Sequence, residues 1–194
     1  MIKYKYRINK SYKGGISLRI QVTGHRPKKL NNNYNIYSEP YIGIGRKMRD
    51  FILNKMREVP KDEKITIVSG MALGIDTVWA LVALKLREKY PDRIELECFV
   101  PCKDHSSNWF NKKDIERYND ILKKADRVHI ADITYKEAGA KVMQLRNIDM
   151  VDSLGENDWV VAVWDGGESG GTWNCVKYAR SKDANIFYIN PFEE

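Results

Sequence analysis

Apolar positions along the chain follow two alternating periods. Ile16, Leu18, Ile20 and Val22 occupy every second position of residues 15–22 and stop at Thr23-Gly24; Ile44, Met48, Phe51, Ile52, Met56 and Val59 then recur at helical spacing. This unit of strand, loop and helix repeats. Ile65-Thr66-Ile67-Val68 precedes a helix through Ile75, Val78, Trp79, Val82 and Leu86, and residues 94–100 precede one through Ile115, Tyr118, Ile121 and Leu122. Val128-His129-Ile130-Ala131 then leads to Val142, Leu145, Ile148 and Val151, the run 159–164 leads to Val176 and Ala179, and Ile186-Phe187-Tyr188-Ile189 comes last. Six strands separated by helices predict right-handed crossovers, and so an α/β, Rossmann-like, doubly wound and mainly parallel sheet with helices on both faces. The unbroken apolar run at 159–164 suits an interior strand, covered on both sides.

The length of 194 residues suits one domain, expected at residues 14–194 after a basic N-terminal extension at 1–13. In that extension Lys3, Lys5, Arg7, Lys10 and Lys13 interleave with Tyr4, Tyr6 and Tyr12, a pattern fit either for a nucleic-acid backbone or for a solvated arm. The net charge of +7 is compatible with nucleic acid, a membrane surface or a small anionic ligand. No apolar run approaches the ~18 residues of a membrane span, and the first residues lack the apolar core of a signal peptide, so a cytoplasmic protein without membrane contact is expected. Three cysteines, Cys98, Cys102 and Cys175, suit reduced thiols better than a disulfide scaffold. Cys98, Cys102 and His105 have the spacing of half a zinc site, but no second pair completes four ligands; neither metal nor cofactor is expected.

Ligands of doubly wound sheets bind beyond the carboxyl ends of the strands, so the loops at those ends carry the candidate chemistry. In Thr23-Gly24-His25-Arg26-Pro27 the glycine permits close approach, Arg26 offers a fork for phosphate or carboxylate, and His25 can donate a hydrogen bond. The loop containing Ser69, Gly70, Met71, Ala72, Gly74 and Asp76 opens a helix and lacks both the dinucleotide fingerprint and the Walker sequence, but its glycines, with those of the loop at 165–174, are expected to bring main-chain amides to one phosphate-bearing ligand. Asp76 there either complements the helix dipole or binds a ribose hydroxyl or base. The third loop holds Asp165, Gly166, Gly170, Gly171, Thr172 and Asn174, where glycines and a hydroxyl at a helix entry suit a phosphate. Asp165 is either a turn residue or an acceptor for a ligand hydroxyl.

Thr23-Gly24-His25-Arg26-Pro27, Ser69-Gly70-x-Ala72-Leu73-Gly74-x-Asp76, Gln144-x-Arg146-Asn147-x-x-Met150-Val151-Asp152, and Ala162-Val163-Trp164-Asp165-Gly166 with Gly170-Gly171-Thr172-x-Asn174 occur in this order. Together they resemble the YpsA-like family of the SLOG superfamily over nearly the whole chain after the extension. That superfamily also contains the Lonely Guy phosphoribohydrolases, the DNA-processing protein DprA and nucleotide-sensing domains of bacterial defence systems. The resemblance implies a Rossmann-like fold and a pocket for a nucleotide-derived ligand.

Lonely Guy enzymes cleave N-glycosidic bonds with an Arg-Lys-x-x-Met motif and a Pro-Gly-Gly-x-Gly-Thr-x-x-Glu motif. Arg146-Asn147-x-x-Met150 resembles the first; the second aligns loosely, and Cys175 stands at its glutamate. Glycosidic cleavage needs a carboxylate for its cationic transition state, and Asp76, Asp149 and Asp165 are the candidates left to replace it. With no catalytic residue assigned, the resemblance implies a binder: Arg26 and Arg146 on phosphates, Gly170, Gly171 and Thr172 amides cradling one, and Trp109 or Trp173 either stacking on a base or packing structurally. The expected role is a sensor or sequestering protein for an ADP-ribose-type or cyclic nucleotide signal, with nucleotide N-glycosidase and DprA-like nucleic-acid binding as alternatives. A homodimer is expected by the same resemblance.

Overall fold

The computed structural model describes residues 17–193. The basic extension and the start of the first expected strand lie outside them. Along the chain run β1 (Leu18–Gly24), α1 (Tyr41–Glu58), β2 (Ile65–Ser69), α2 (Ile75–Lys89), β3 (Ile94–Val100), α3 (Lys112–Lys124), β4 (Arg127–Ile130), α4 (Tyr135–Ala138), α5 (Lys141–Asp152), β5 (Trp159–Val163), α6 (Gly170–Ser181) and β6 (Asn185–Ile189). The strands form one sheet in the order β4-β3-β2-β1-β5-β6, and every neighbouring pair is parallel. The chain steps outward from β1 to β4 and then returns across the sheet to place β5 on the other side of β1. Strand order therefore reverses between β1 and β5, which is where sheets of this kind open a crevice.

Alternation along β1 assigns the two faces. Leu18, Ile20 and Val22 join the main core with Ile44, Met48 and Ile52 of α1 and Ile75, Val78 and Trp79 of α2. Phe51 of α1 stacks on Phe187 of β6 at 4.4 Å and meets Trp159 of β5 edge-on at 5.6 Å. On the opposite face Val151 of α5 and Cys175 and Ala179 of α6 close over Val160, and Met150 closes over Val68 and Phe99. Buried Trp79 keeps its indole N–H satisfied by donating to the Val68 carbonyl at 3.2 Å.

Part of that second face is charged. Glu97 of β3 meets Arg19 at 3.0 Å, Arg127 at 3.2 Å and His129 at 2.8 Å across three strands. Burial alone would raise the Glu97 pKa, but His129, Arg19 and Arg127 together hold it down at about 2.

Three local differences from the sequence expectation have physical causes. β1 runs on through Thr23 and Gly24 because these pair with Ala162 and Val163 of β5. The fifth helix buries Val142, Arg146, Met150 and Val151, while Leu145 and Ile148 stay half-exposed. That helix is rotated so that one inward position delivers a charge rather than a methyl group. The short α4 breaks no expected element; Thr134 and Glu137 hold its first turn as a capping box. Among the described residues no helix is long and apolar enough to cross a membrane.

Candidate functional site

Beyond the carboxyl ends of β1 and β5 lies a cavity of about 760 Å³. Nine of the expected site residues line it: Thr23, Gly24, Arg26, Ala72, Asp76, Arg146, Gly171, Thr172 and Asn174. Five basic side chains, Arg26, Lys28, Lys29, Arg146 and Lys177, surround it, against one lining acid among the described residues, Asp76. Such a cavity attracts anions. Arg26 stands at the rim, yet desolvation first and the neighbouring Arg146 second lower its pKa from the ordinary arginine value. An anion between the two guanidinium groups would relieve both effects.

The N-terminus of α6 supplies the other half of the anion chemistry. Gly170 has φ +86°, so the chain enters the helix through a conformation that favours glycine. Ser169 occupies the cap position but makes no side-chain cap bond, and the first turn contains no acid. The Gly170, Gly171 and Thr172 N–H groups find no acceptor among the described residues. Unpaired donors and an uncompensated helix dipole at a cavity wall are the elements of a phosphate cradle. Lys29 is pinned beside them by donating to the Ser169 carbonyl at 3.1 Å.

The loop after β2 is built for a different purpose from the one its glycines suggest. Met71 N–H donates to Ser69 Oγ at 3.2 Å and Ala72 N–H to Asp76 Oδ2 at 3.2 Å. Ser69 Oγ donates to the Asp76 carbonyl at 2.9 Å, and Thr77 Oγ1 to the Ala72 carbonyl at 2.9 Å. These two amides are spent on the protein, so the expectation that both glycine-rich loops offer main-chain amides to one ligand fails at Met71 and Ala72. Arg146 Nη1 donates to the Gly70 carbonyl and faces Asp76 Oδ2 at 3.4 Å, while its Nε donates to Asn147 Oδ1 at 2.9 Å. A Cβ at position 70 would overlap that guanidinium, so Gly70 makes room for Arg146 rather than for phosphate. Gly24 likewise makes room for Ile75, whose Cβ would lie 2.7 Å from an added methyl. Burial raises the Asp76 carboxyl above the ordinary aspartate value despite Arg146 and the Ala72 N–H.

His25, Ser69, Gly70, Met71, Gly74, Asp165, Gly166 and Gly170 are absent from the lining. His25 is 1% exposed, with Nε2 2.9 Å from Asp165 Oδ1 and Nδ1 3.3 Å from Thr172 Oγ1. Both ring nitrogens are occupied by protein groups, which makes His25 a positioning residue. Asp165 Oδ1 also accepts the Gly167 N–H at 3.0 Å, and this bond, followed by His25, lowers its pKa. It is a turn residue. Trp173 stacks on Trp164 at 5.5 Å and 18°, with Arg180 over both rings, and lies outside the cavity. Cys175 lines the cavity as a buried thiol whose pKa is pushed up to about 11 by desolvation. Asp149 lies outside the lining, and its pKa is raised to about 6 by burial and then Asp152.

A second, smaller cavity of about 390 Å³ adjoins the first and shares Arg26, Lys28, Ala72, Tyr135 and Met143 with it. Trp109 lines this side cavity with Tyr34 and His105. Trp109 meets His105 edge-on at 5.5 Å and Tyr118 at 5.1 Å. Nε2 of His105 hydrogen-bonds the Met71 carbonyl at 3.1 Å, and buried Nδ1 has no partner among the described residues. Burial, with Arg146 nearby, lowers the His105 pKa to about 3, so the ring is neutral. Its Nδ1 is then a bare acceptor. No group of three His, Cys, Asp or Glu side chains among the described residues is placed to hold a metal.

Lys28, Lys29 and Lys177 were not singled out from sequence, whereas Tyr135 ends the loop 132–135, one of those expected at the carboxyl edge of the sheet. The two lysines directly follow the Thr23–Pro27 motif, and the Thr134-x-x-Glu137 capping pattern marks the turn that presents Tyr135. Those were the available signals. Lys177 carries none beyond its place one turn into α6.

A sequence model of the YspA SLOG family matches residues 20–193, and the chain belongs to that family. No curated protein matches the chain.

Proposed function

We propose that this YspA SLOG family member binds a nucleotide-derived anion without cleaving it, as a sensor or a sequestering protein. Family membership supports a nucleotide-related role. The observation that carries the reading is the pairing of an uncapped α6 N-terminus with Arg26, Lys28, Lys29, Arg146 and Lys177 around one cavity at the β1–β5 reversal. A phosphate at the Gly170–Thr172 amides would complete donors that the protein leaves open, with Lys29 beside it. Turnover of a glycosidic bond asks for an ionised or proton-donating carboxylate at the reacting carbon. Asp76, the lining acid, is already engaged by the Ala72 N–H and Arg146, and the position one turn after Thr172 is the Cys175 thiol.

The test is a thermal-shift and calorimetric titration with AMP, ADP-ribose and cyclic dinucleotides, with free base measured by chromatography in the same samples. Ligand at a hundredfold excess over Kd stabilises by ~2.7 kcal/mol, which raises the melting temperature by roughly 5–10 °C for a chain of this length. The expected result is such a shift with no base released, and loss of the shift on Lys29→Ala. Base release that disappears in Arg146→Ala would replace this reading with that of an N-glycosidase.

A further inference from the structure

The side cavity changes what kind of nucleotide fits. A mononucleotide needs one ligand-sized cavity, within the usual range of ~300–1,000 Å³. Here a basin of about 760 Å³ and a side cavity of about 390 Å³ meet along Arg26 and Lys28. The two differ in chemistry. The basin alone carries the α6 N-terminus, Lys29 and Lys177; the side cavity alone carries the rings of Tyr34 and Trp109 with the apolar Leu73, while Tyr135 and Met143 line both.

Two aromatic rings of the side cavity are open to solvent in a way that folding alone does not reward: Tyr34 is 53% and Tyr135 39% exposed. Trp109 is half-buried beside them, held edge-on by His105 and Tyr118. A flat heterocycle between such rings gains stacking energy.

We infer that the ligand is two-headed: one nucleoside and its phosphate in the basin, bridging phosphate at Arg26 and Lys28, and a second flat heterocyclic base in the side cavity. This rests on the nucleotide reading of the basin and narrows it to molecules with two bases joined through phosphates. Specificity for the second base then resides in Trp109 and Tyr34, neither of which lines the basin that holds the α6 cradle.

Calorimetry with AMP, ADP-ribose, NAD and cyclic di-AMP tests it on the full chain and on Trp109→Ala, Tyr34→Ala and Lys29→Ala. A two-base probe is expected to bind on the order of ten- to a hundredfold tighter than AMP or ADP-ribose, as one stacked base contributes. Trp109→Ala and Tyr34→Ala should remove that advantage and leave the affinity for AMP nearly unchanged, whereas Lys29→Ala should weaken every probe. Tyr34 is exposed, so its variant carries the test if Trp109→Ala fails to fold. Equal affinity for AMP and the two-base probes, or intact two-base affinity in Tyr34→Ala, overturns the two-headed ligand while the basin reading stands on the Lys29→Ala result. Absence of binding by all four probes removes the basin reading and this inference together.

Discussion

His25 Nε2 lies 2.9 Å from Asp165 Oδ1, which joins the end of β1 to the start of the loop between β5 and α6 through one fully buried ring. The same ring reaches Thr172 Oγ1 with its Nδ1, so both ends of that loop are tied to β1 at one point. The α6 amides owe their position to a side chain outside the cavity lining. His25→Ala is expected to destabilise the fold by about 2 kcal/mol, the cost of buried hydrogen bonds left unmade. Hydrogen exchange should speed up at residues 165–172 and leave β2 and β3 protected. Unchanged exchange in that loop would deny His25 its positioning role.

Gly70 and Gly171 should respond oppositely to the same substitution. An added Cβ at Gly70 overlaps the Arg146 guanidinium, whereas at Gly171 nothing lies within 4 Å and φ is not positive. Gly70→Ala is expected to cost roughly 1–3 kcal/mol as overpacking, while Gly171→Ala is neutral or stabilising by up to about 1 kcal/mol. Urea denaturation of both variants compares them directly.

Arg146 and Asp76 form a buried pair beneath the cavity, 4% and 6% exposed. Arg146→Ala leaves the carboxylate without its charge partner and is expected to cost about 3–5 kcal/mol. Asp76→Asn placed on top of it should recover part of that loss, because no unpaired charge then remains. A double-mutant cycle measured by denaturation checks the coupling, and strictly additive losses would contradict it.

Glu97 sets an acid limit to the fold. Its pKa drops from 4.5 to about 2 on folding, so its stabilisation is complete above the unfolded value and is lost as pH falls from about 4.5 toward 2. The full effect amounts to about 3 kcal/mol. Glu97→Gln should flatten the pH dependence of stability across that window and lower stability at neutral pH, where Arg19 and Arg127 lose their shared acceptor. Denaturation curves from neutral pH to about 3 provide the check.

The sheet was legible because both periods were strong. Ile20, Ile67 and Leu96 sit at every second position of short strand segments, Val161 sits in an unbroken apolar run, and Ile44, Met48 and Ile52 recur along one helix face. The open N-terminus of α6 was legible too, since glycines before a helix without an acidic first turn are a local signature. The loop after β2 misled for the same reason: its glycines look identical on paper, but Gly70 serves Arg146, which is 76 residues away in sequence.

Sequence by itself determined the parallel α/β fold, the order of its elements and the places where chemistry gathers, because these follow from short-range periodicity and turn residues. Tertiary structure alone decided which amides stay open, which charges face one another and which aromatic rings share a cavity. Those depend on the rotation of α5, the pairing of β1 with β5 and the path of the loop carrying Tyr34, all fixed by packing between segments far apart in the chain.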